Sequence, residues 1–214
     1  MFKRPKDEQE LQRREAIGVI RASRFVRKYA NSRRPIDTDT IREIHKEIFS
    51  EAWPEIAGAY RQENLEITGS KHLPPHHKDV PARMEECGKM LAEKLEKLGT
   101  DGILLGEFSE EAIDYIEDVI SVAAWIHHKI TYIHPFREGN GRTARLAANL
   151  VLERYGLVGI SIKIERENKD HYRQALAQID SYEDYRPLEQ LIGEGLIDRY
   201  EGVSMKYYGL KNNE

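Results

Sequence analysis

The residues of this chain best suited to chemistry fall in one run, His134-Pro135-Phe136-Arg137-Glu138-Gly139-Asn140-Gly141-Arg142-Thr143-Ala144-Arg145. Gly139-Asn140-Gly141 places two glycines around a residue tolerant of unusual dihedrals, just ahead of a segment with helical spacing. Such a turn can aim several backbone amides at one point, and a helix N-terminus adds positive potential there. Arg142 and Arg145 are three apart, so both lie on one face of the first helical turn. Guanidinium groups beside an amide nest make a site for a polyphosphate. Glu138 would repel that phosphate unless a cation stood between them, which points to magnesium shared by the carboxylate and phosphate oxygens. His134, on the loop at the mouth, can take a proton from an attacking hydroxyl near neutral pH. Phe136 is expected to point inward and anchor the loop. These parts together suit transfer to a hydroxyl from a magnesium-bound nucleotide. A histidine before proline, a Gly-Asn-Gly turn and an arginine pair are each commonplace alone; their joint occurrence at fixed spacing carries the reading.

The elements that must hold this run are mostly helices. Residues from about Glu8 to Tyr29 carry Leu11, Ile17, Ile20 and Phe25 among many charges, as a surface-packed helix would. Thr40 with Glu43 is expected to form a capping box, after which Ile41, Ile44, His45, Ile48 and Phe49 share a face. A third helix is expected to start at Pro81, with Met84, Cys87, Met90, Leu91, Leu95 and Leu98 as its stripe and Gly99 as its end. Ser109 is expected to cap a long helix whose inner face is Ile113, Ile116, Ile120, Ala124 and His127, and which runs down to His134-Pro135. The helix after Gly141 buries Leu146, Ala147, Leu150 and Val151 and stops at Gly156. Two more are expected near Lys169–Ile179 and Pro187–Tyr200, followed by a frayed tail. The segment from Ala59 to Leu73 breaks this rhythm: branched and aromatic residues flank Gly69-Ser70, which predicts a short β-hairpin.

Bulk properties narrow the function classes. A chain of 214 residues fits one domain with a short extension, and its 33% charged and 8% aromatic content suits a helical fold. The formal net charge of -4 gives no global pull toward nucleic acid or an anionic membrane. Lys3-Arg4-Pro5-Lys6 is too short a basic run to argue for DNA. The single cysteine, Cys87, excludes an internal disulfide framework and fits a reducing compartment. Met1 to Gln12 lacks the apolar core of a signal peptide, and the uncharged run from Val119 to His128 is too short to span a bilayer. A cytoplasmic protein is therefore expected. His72, His76 and His77 lack a paired cysteine or a placed carboxylate, so a solvated loop is a better reading than zinc. Of His127 and His128, one is expected to pack under the active-site loop and the other to face solvent.

The run resembles the signature of the Fic (filamentation induced by cAMP) family, His-x-Phe-x-(Asp or Glu)-Gly-Asn-Gly-Arg-x-x-Arg, at every specified position. The resemblance extends upstream through Ile44-His45, Gly58-Ala59-Tyr60-Arg61, Ile67-Thr68-Gly69 and Pro74-Pro75, and covers roughly Asp39 to Ile192. It implies an all-α Fic fold, a helical bundle with a short β-hairpin flap beside the active site. The domains would be a helical extension over 1–38, the Fic domain over 39–200 and a tail over 201–214. It implies a protein adenylyltransferase that uses ATP and Mg2+. His134 would be the general base, Glu138 the magnesium ligand, and Gly139, Asn140 and Gly141 the anion hole. Arg142 would help bind the phosphates and Arg145 would bind the γ-phosphate. A target protein offering a Ser, Thr or Tyr hydroxyl would dock by strand-like pairing at the flap, about Glu66 to Leu73.

The family's inhibitory pattern, (Ser or Thr)-x-x-x-Glu-(Gly or Asn), has no full match. Ser161 and Glu165 have the spacing but Arg166 follows, and Gln190-x-x-x-Glu194-Gly195 lacks the Ser or Thr. Glu194 is the candidate partner of Arg145; otherwise restraint would come from a separate antitoxin chain or be absent. A homo-oligomer also stays open. The alternatives to AMP transfer are a toxin-antitoxin or regulatory nucleotide-binding module with suppressed catalysis, or a relative moving another phosphate-containing group. The intact Glu138-Gly139-Asn140-Gly141 favours AMP transfer.

Overall fold

Caps and small-residue contacts, more than apolar stripes, set where the helices begin and where they touch. The structure is a computed structural model that describes residues 3–99, 110–160 and 169–211. Helix α1 (Glu8–Ala30) opens at Asp7, whose carboxylate accepts the Glu10 N–H. Helix α2 (Thr38–Phe49) opens at Asp37, and Thr40 is the answering member of the capping box rather than the cap itself. Thr40 is buried and its hydroxyl also meets the Tyr29 phenol at 2.9 Å, which moves the cap three residues upstream of the expected position.

The rotation of α1 also differs from expectation. Its buried residues are Leu11, Gly18, Ala22, Val26, Tyr29 and Ala30, while Ile17 and Ile20 are 45% and 57% exposed. Close approach explains the choice. A Cβ on Gly18 would lie 1.9 Å from the Ile48 carbonyl oxygen of α2, so only a residue without one lets the helices meet. Large isoleucines are excluded from that contact and face outward.

Helix α3 (Val80–Leu98) carries Pro81 in its first turn and ends at Gly99 with φ +76°, in a left-handed conformation that favours glycine. It buries Val80, Met84, Cys87 and Leu91; Met90 falls outside the stripe and is exposed. Helix α4 (Glu110–Ile133) is the most apolar element and packs along α5 (Asn140–Arg154); α1 and α2 pack on α5, and α3 packs on α4. Of the expected inner face, Ala124 and His127 are fully buried, Ile116 and Ile120 are half-buried and Ile113 is exposed; Val119, Ala123, Ile126 and Ile130 complete the deepest face of α4. His127 and His128 are both buried, so neither faces solvent as expected. His128 Nε2 meets Asp180 at 2.9 Å and its Nδ1 meets the Tyr185 hydroxyl at 3.2 Å. Helix α6 (Lys169–Tyr182) and helix α7 (Arg186–Lys211) pack on each other and on α4, and α7 continues well past the expected end at Tyr200. The expected cap at Ser109 lies outside the described residues, as do Ser161 and Glu165.

Among the described residues none is in a β-strand, so the fold is all-α and the expected hairpin is not formed. The polar groups of residues 59–73 find partners elsewhere. The Arg61 N–H donates to the Pro135 carbonyl at 2.9 Å, and His72 stacks on Tyr132 with ring centroids 4.1 Å apart. What remains at Gly69 (φ +78°) is one reverse turn, Ser70 N–H to Ile67 carbonyl, 3.0 Å. Arg173 of α6 lies over it, its guanidinium within 3.3 Å of where a Gly69 Cβ would stand. Two short arms without a third strand are marginal in water, and here the side chains of α4 and α6 outcompete their pairing. The docking of a target by strand pairing at residues 66–73 is overturned with it, because that segment is not a strand.

The α1–α2 contact gives a direct test. Gly18→Ala is expected to destabilise the protein by about 1–3 kcal/mol in denaturant unfolding, despite the better helix propensity of alanine. Ile20→Ala, on the exposed face, is expected to stay within about 0.5 kcal/mol.

Candidate functional site

The loop between α4 and α5 is held by its carbonyls. Arg61 is 3% exposed and ends the short segment after α2. Its Nε donates to the His134 carbonyl at 2.8 Å, and its two terminal nitrogens to the carbonyls of Glu63 at 2.8 Å and Pro75 at 2.5 Å. Arginine has five donors and no acceptor, so a buried one is stable where carbonyls converge on it. On the other side, His45 of α2 is fully buried and stacks on Phe136, centroids 3.9 Å apart and planes 7° from parallel. Its Nδ1 accepts the Gly58 N–H at 2.9 Å, which leaves Nε2 as the donor to the Glu138 carbonyl at 3.0 Å. Burial pushes its pKa down to about 4, with the Arg142 charge acting in the same direction, so it stays neutral in that role.

Within the loop, Asn140 is 3% exposed and bonds Phe136 twice: its Oδ1 accepts the Phe136 N–H at 2.8 Å and its Nδ2 donates to the Phe136 carbonyl at 2.7 Å. The side chain of Asn140 thus shapes the loop, and only its main-chain N–H is directed along the N-terminus of α5. Gly139 caps that helix at φ +77°, where a Cβ would strike the Phe49 ring at 2.3 Å. Conformation and space both require glycine there. Phe136 is fully buried, as the sequence implied.

The chemical groups sit around this frame. His134, at φ +52°, is partly buried and its Nδ1 faces the Thr131 carbonyl at 3.2 Å. With the proton on Nδ1, Nε2 is the basic nitrogen. Burial lowers its pKa below the ordinary histidine value, against the Thr131 hydrogen bond, which raises it. Glu138 is exposed and its carboxylate accepts the Gly139 N–H at 2.9 Å. Arg142 stands between two carboxylates, Glu15 of α1 at 2.7 Å and Glu138 at 3.3 Å. Arg145 is within hydrogen-bonding reach of the Tyr172 hydroxyl. No carboxylate among the described residues pairs with Arg145; Glu194 is exposed on α7 and bonded to Gln190 at 3.0 Å. A cleft of about 930 Å³ opens beside His134 and Gly141, lined also by Tyr172, Arg173 and the turn at Gly69, a size that holds a nucleotide.

All seven residues singled out from the sequence therefore lie on one loop and the first turns of one helix. Residues 35–152 match the family model of the Fic/DOC family. The chain belongs to the Fic/DOC family. The protein adenylyltransferase Fic of Nematostella vectensis is 31% identical over 194 residues, 89% of this chain and 40% of its own length. The protein adenylyltransferase fic-1 of Caenorhabditis elegans is 29% identical over 88% of this chain and 34% of its own length. This chain thus spans two fifths or less of those curated relatives. A solved Fic-1 fragment from C. elegans superposes with a TM-score of 0.68 at 25% identity, covering 97% of this chain and 56% of that one. A Fic domain-containing signaling protein from Bacteroides thetaiotaomicron superposes with a TM-score of 0.64 at 26% identity, covering 88% of this chain and 68% of that one.

Three site residues were not singled out for a role by sequence reasoning. Arg61 and His45 lay in segments that carry the resemblance, but which carbonyls they hold is a tertiary fact. Glu15 gave no signal at all, being 127 positions from Arg142. Removing the Arg61 guanidinium leaves the carbonyls of His134, Glu63 and Pro75 without that donor. Arg61→Met is expected to cost about 3 kcal/mol or more in denaturant unfolding, whereas Arg137→Met, at an exposed position of the same loop, is expected to cost under about 1 kcal/mol.

Proposed function

We propose that this chain transfers AMP from magnesium-bound ATP to a Ser, Thr or Tyr hydroxyl of a target protein. The observation that carries the reading is the orientation of His134, whose Nδ1 is engaged by the Thr131 carbonyl so that Nε2 is left as a base at the cleft. A target hydroxyl attacks the α-phosphorus of ATP and gives its proton to His134 Nε2; the bond to the β-phosphate oxygen breaks and pyrophosphate leaves. Main-chain amides at Gly139, Asn140 and Gly141 face the developing negative charge at the N-terminus of α5, where the helix dipole adds to them. Arg142 and Arg145 hold the phosphates.

The residues fit a magnesium ion. One exposed carboxylate beside an amide nest is the donor set that binds this ion jointly with substrate phosphates, rather than in an all-protein cage. Glu138 would hold it, and the ion would supply charge neutralisation between phosphate oxygens. To hold it, the Glu138 carboxylate would give up its contacts to Gly139 N–H and Arg142. Arg142, tethered to Glu15, stays near the nest while this happens.

The tie of Arg142 to two carboxylates favours one second reading, a regulatory nucleotide-binding module whose transfer is suppressed at rest. Label from α-phosphate-labelled ATP separates the two. Incorporation into a protein of the parent lysate, lowered roughly 10²- to 10⁴-fold by His134→Ala, is the expected result. ATP binding with no label in any protein would support the regulatory module instead.

The protonation state of His134 makes a further expectation. Burial holds its pKa below the ordinary value of about 6.5. The base form is therefore full at neutral pH, and kcat/KM is expected to fall only as pH drops below about 6.5, with a slope of one proton. A half-maximal point at or above pH 7 would contradict His134 as the base.

A further inference from the structure

Arg145 is a half-buried cation whose Nη1 lies 3.4 Å from where a Cβ on Gly141, a residue of the cleft wall, would stand, and its contacts raise a design problem. Arginine carries donors only, so it is oriented only by acceptors. A carboxylate would orient it but would also neutralise it and compete with the phosphate. The structure solves this with an uncharged acceptor. Tyr172 of α6 is 9% exposed, and its hydroxyl lies within reach of the Arg145 guanidinium. The same hydroxyl is 3.3 Å from Nε2 of His127, a fully buried residue of α4, and the two rings meet edge to face at 5.6 Å.

The direction of these bonds follows from donor and acceptor chemistry. Arg145 can only donate, so the phenol oxygen accepts from it, and the phenol proton is free to go to His127 Nε2. His127 must then be neutral and carry its own proton on Nδ1. That Nδ1 has no hydrogen-bond partner among the described residues. Burial, with the Arg145 charge next, holds the His127 pKa near about 3, so the imidazole remains an acceptor throughout the physiological range. The orphaned Nδ1 is a structural cost that the fold carries at a fully buried position whose Nε2 contacts Tyr172. Three helices, α4, α5 and α6, meet at this chain of contacts.

We propose that His127 and Tyr172 are positioning residues which aim the Arg145 guanidinium at the terminal phosphate of the nucleotide and so set the preference for a triphosphate over a diphosphate. This rests on the assignment of Arg145 to that phosphate. Loss of the phenol hydroxyl leaves Arg145 charged and in place on α5 but free to adopt other rotamers, so the terminal phosphate is bound less well while the rest of the nucleotide is untouched.

The test is calorimetric binding of Mg-ATP and Mg-ADP to the full chain and to variants, with thermal unfolding measured beside it. Tyr172→Phe keeps the ring against His127 and is expected to weaken ATP about fivefold to tenfold while ADP changes less than about twofold. Arg145→Ala is expected to weaken ATP at least as much, and Tyr172→Phe/Arg145→Ala is expected to be no weaker than Arg145→Ala alone. His127→Leu should reproduce the Tyr172→Phe pattern, and His127→Gln, which offers an acceptor near the place of Nε2, should restore ATP binding. Equal weakening of ATP and ADP by Tyr172→Phe, or none of either, would overturn the positioning role. If Arg145→Ala itself leaves the ATP to ADP ratio unchanged, the phosphate assignment fails first and the inference built on it falls with it. If Arg145→Ala abolishes the preference and Tyr172→Phe does not, the assignment stands and only the positioning pair is lost.

Discussion

Everything in the site depends on how the carbonyls of residues 134 to 139 are satisfied. A loop that closes between two buried helices cannot leave those groups to water, and each one left without a donor costs about 1–3 kcal/mol. Arg61 takes His134, the Arg61 main-chain N–H takes Pro135, Asn140 takes Phe136 and His45 takes Glu138. Three of these donors come from other segments of the chain, so the loop is correct only when the rest of the domain is folded. His134 also holds a left-handed conformation unusual for a side-chain-bearing residue. Such strain costs on the order of 1–3 kcal/mol and persists only where surrounding bonds over-determine it. The hydrogen bonds on both sides of His134 do that, and they fix its imidazole over the cleft in a defined orientation.

Charge is distributed with the same economy. In the deep part of the site His45 and His127 are kept neutral by burial. Glu138 and Glu15 flank Arg142, and Asp180, which lines the cleft, is bonded to His128. A polyanion at the N-terminus of α5 has helix amides and guanidinium groups beside it, and Glu138 is the exposed carboxylate there able to share a divalent cation. Helix α1 belongs to this arrangement through Glu15, although it lies outside the stretch that matches the family model.

How much of this could be read in the sequence depends on separation along the chain. The run from His134 to Arg145 was legible because its residue types are contiguous and their spacing is chemical, and Phe136 turned inward as its type implies. The approximate positions of α2 to α6 followed from apolar periodicity, and Pro81 and Gly99 marked the ends of α3. What failed had competing partners. Residues 59–73 have strand-like composition, but their polar groups bond to the Fic loop and α4 instead of to each other. Ile17 and Ile20 are large apolar residues of α1, yet the α2 backbone comes too close at Gly18 for any side chain. Asp37 displaced Thr40 as a cap because Thr40 was drawn inward by Tyr29. The partners of Arg61, Glu15 and His127 lie far away in sequence, and no local pattern reports such pairs.

The most direct measurement of the central claim is a crystal structure of the chain with magnesium and a non-hydrolysable ATP analogue. The account predicts phosphates within hydrogen-bonding distance of the Gly139 to Arg142 amides, with the carbonyl bonds of Arg61, His45 and Asn140 unchanged and His134 Nε2 facing the α-phosphorus. A nucleotide seated elsewhere, or a loop whose carbonyls had exchanged their donors on binding, would contradict it.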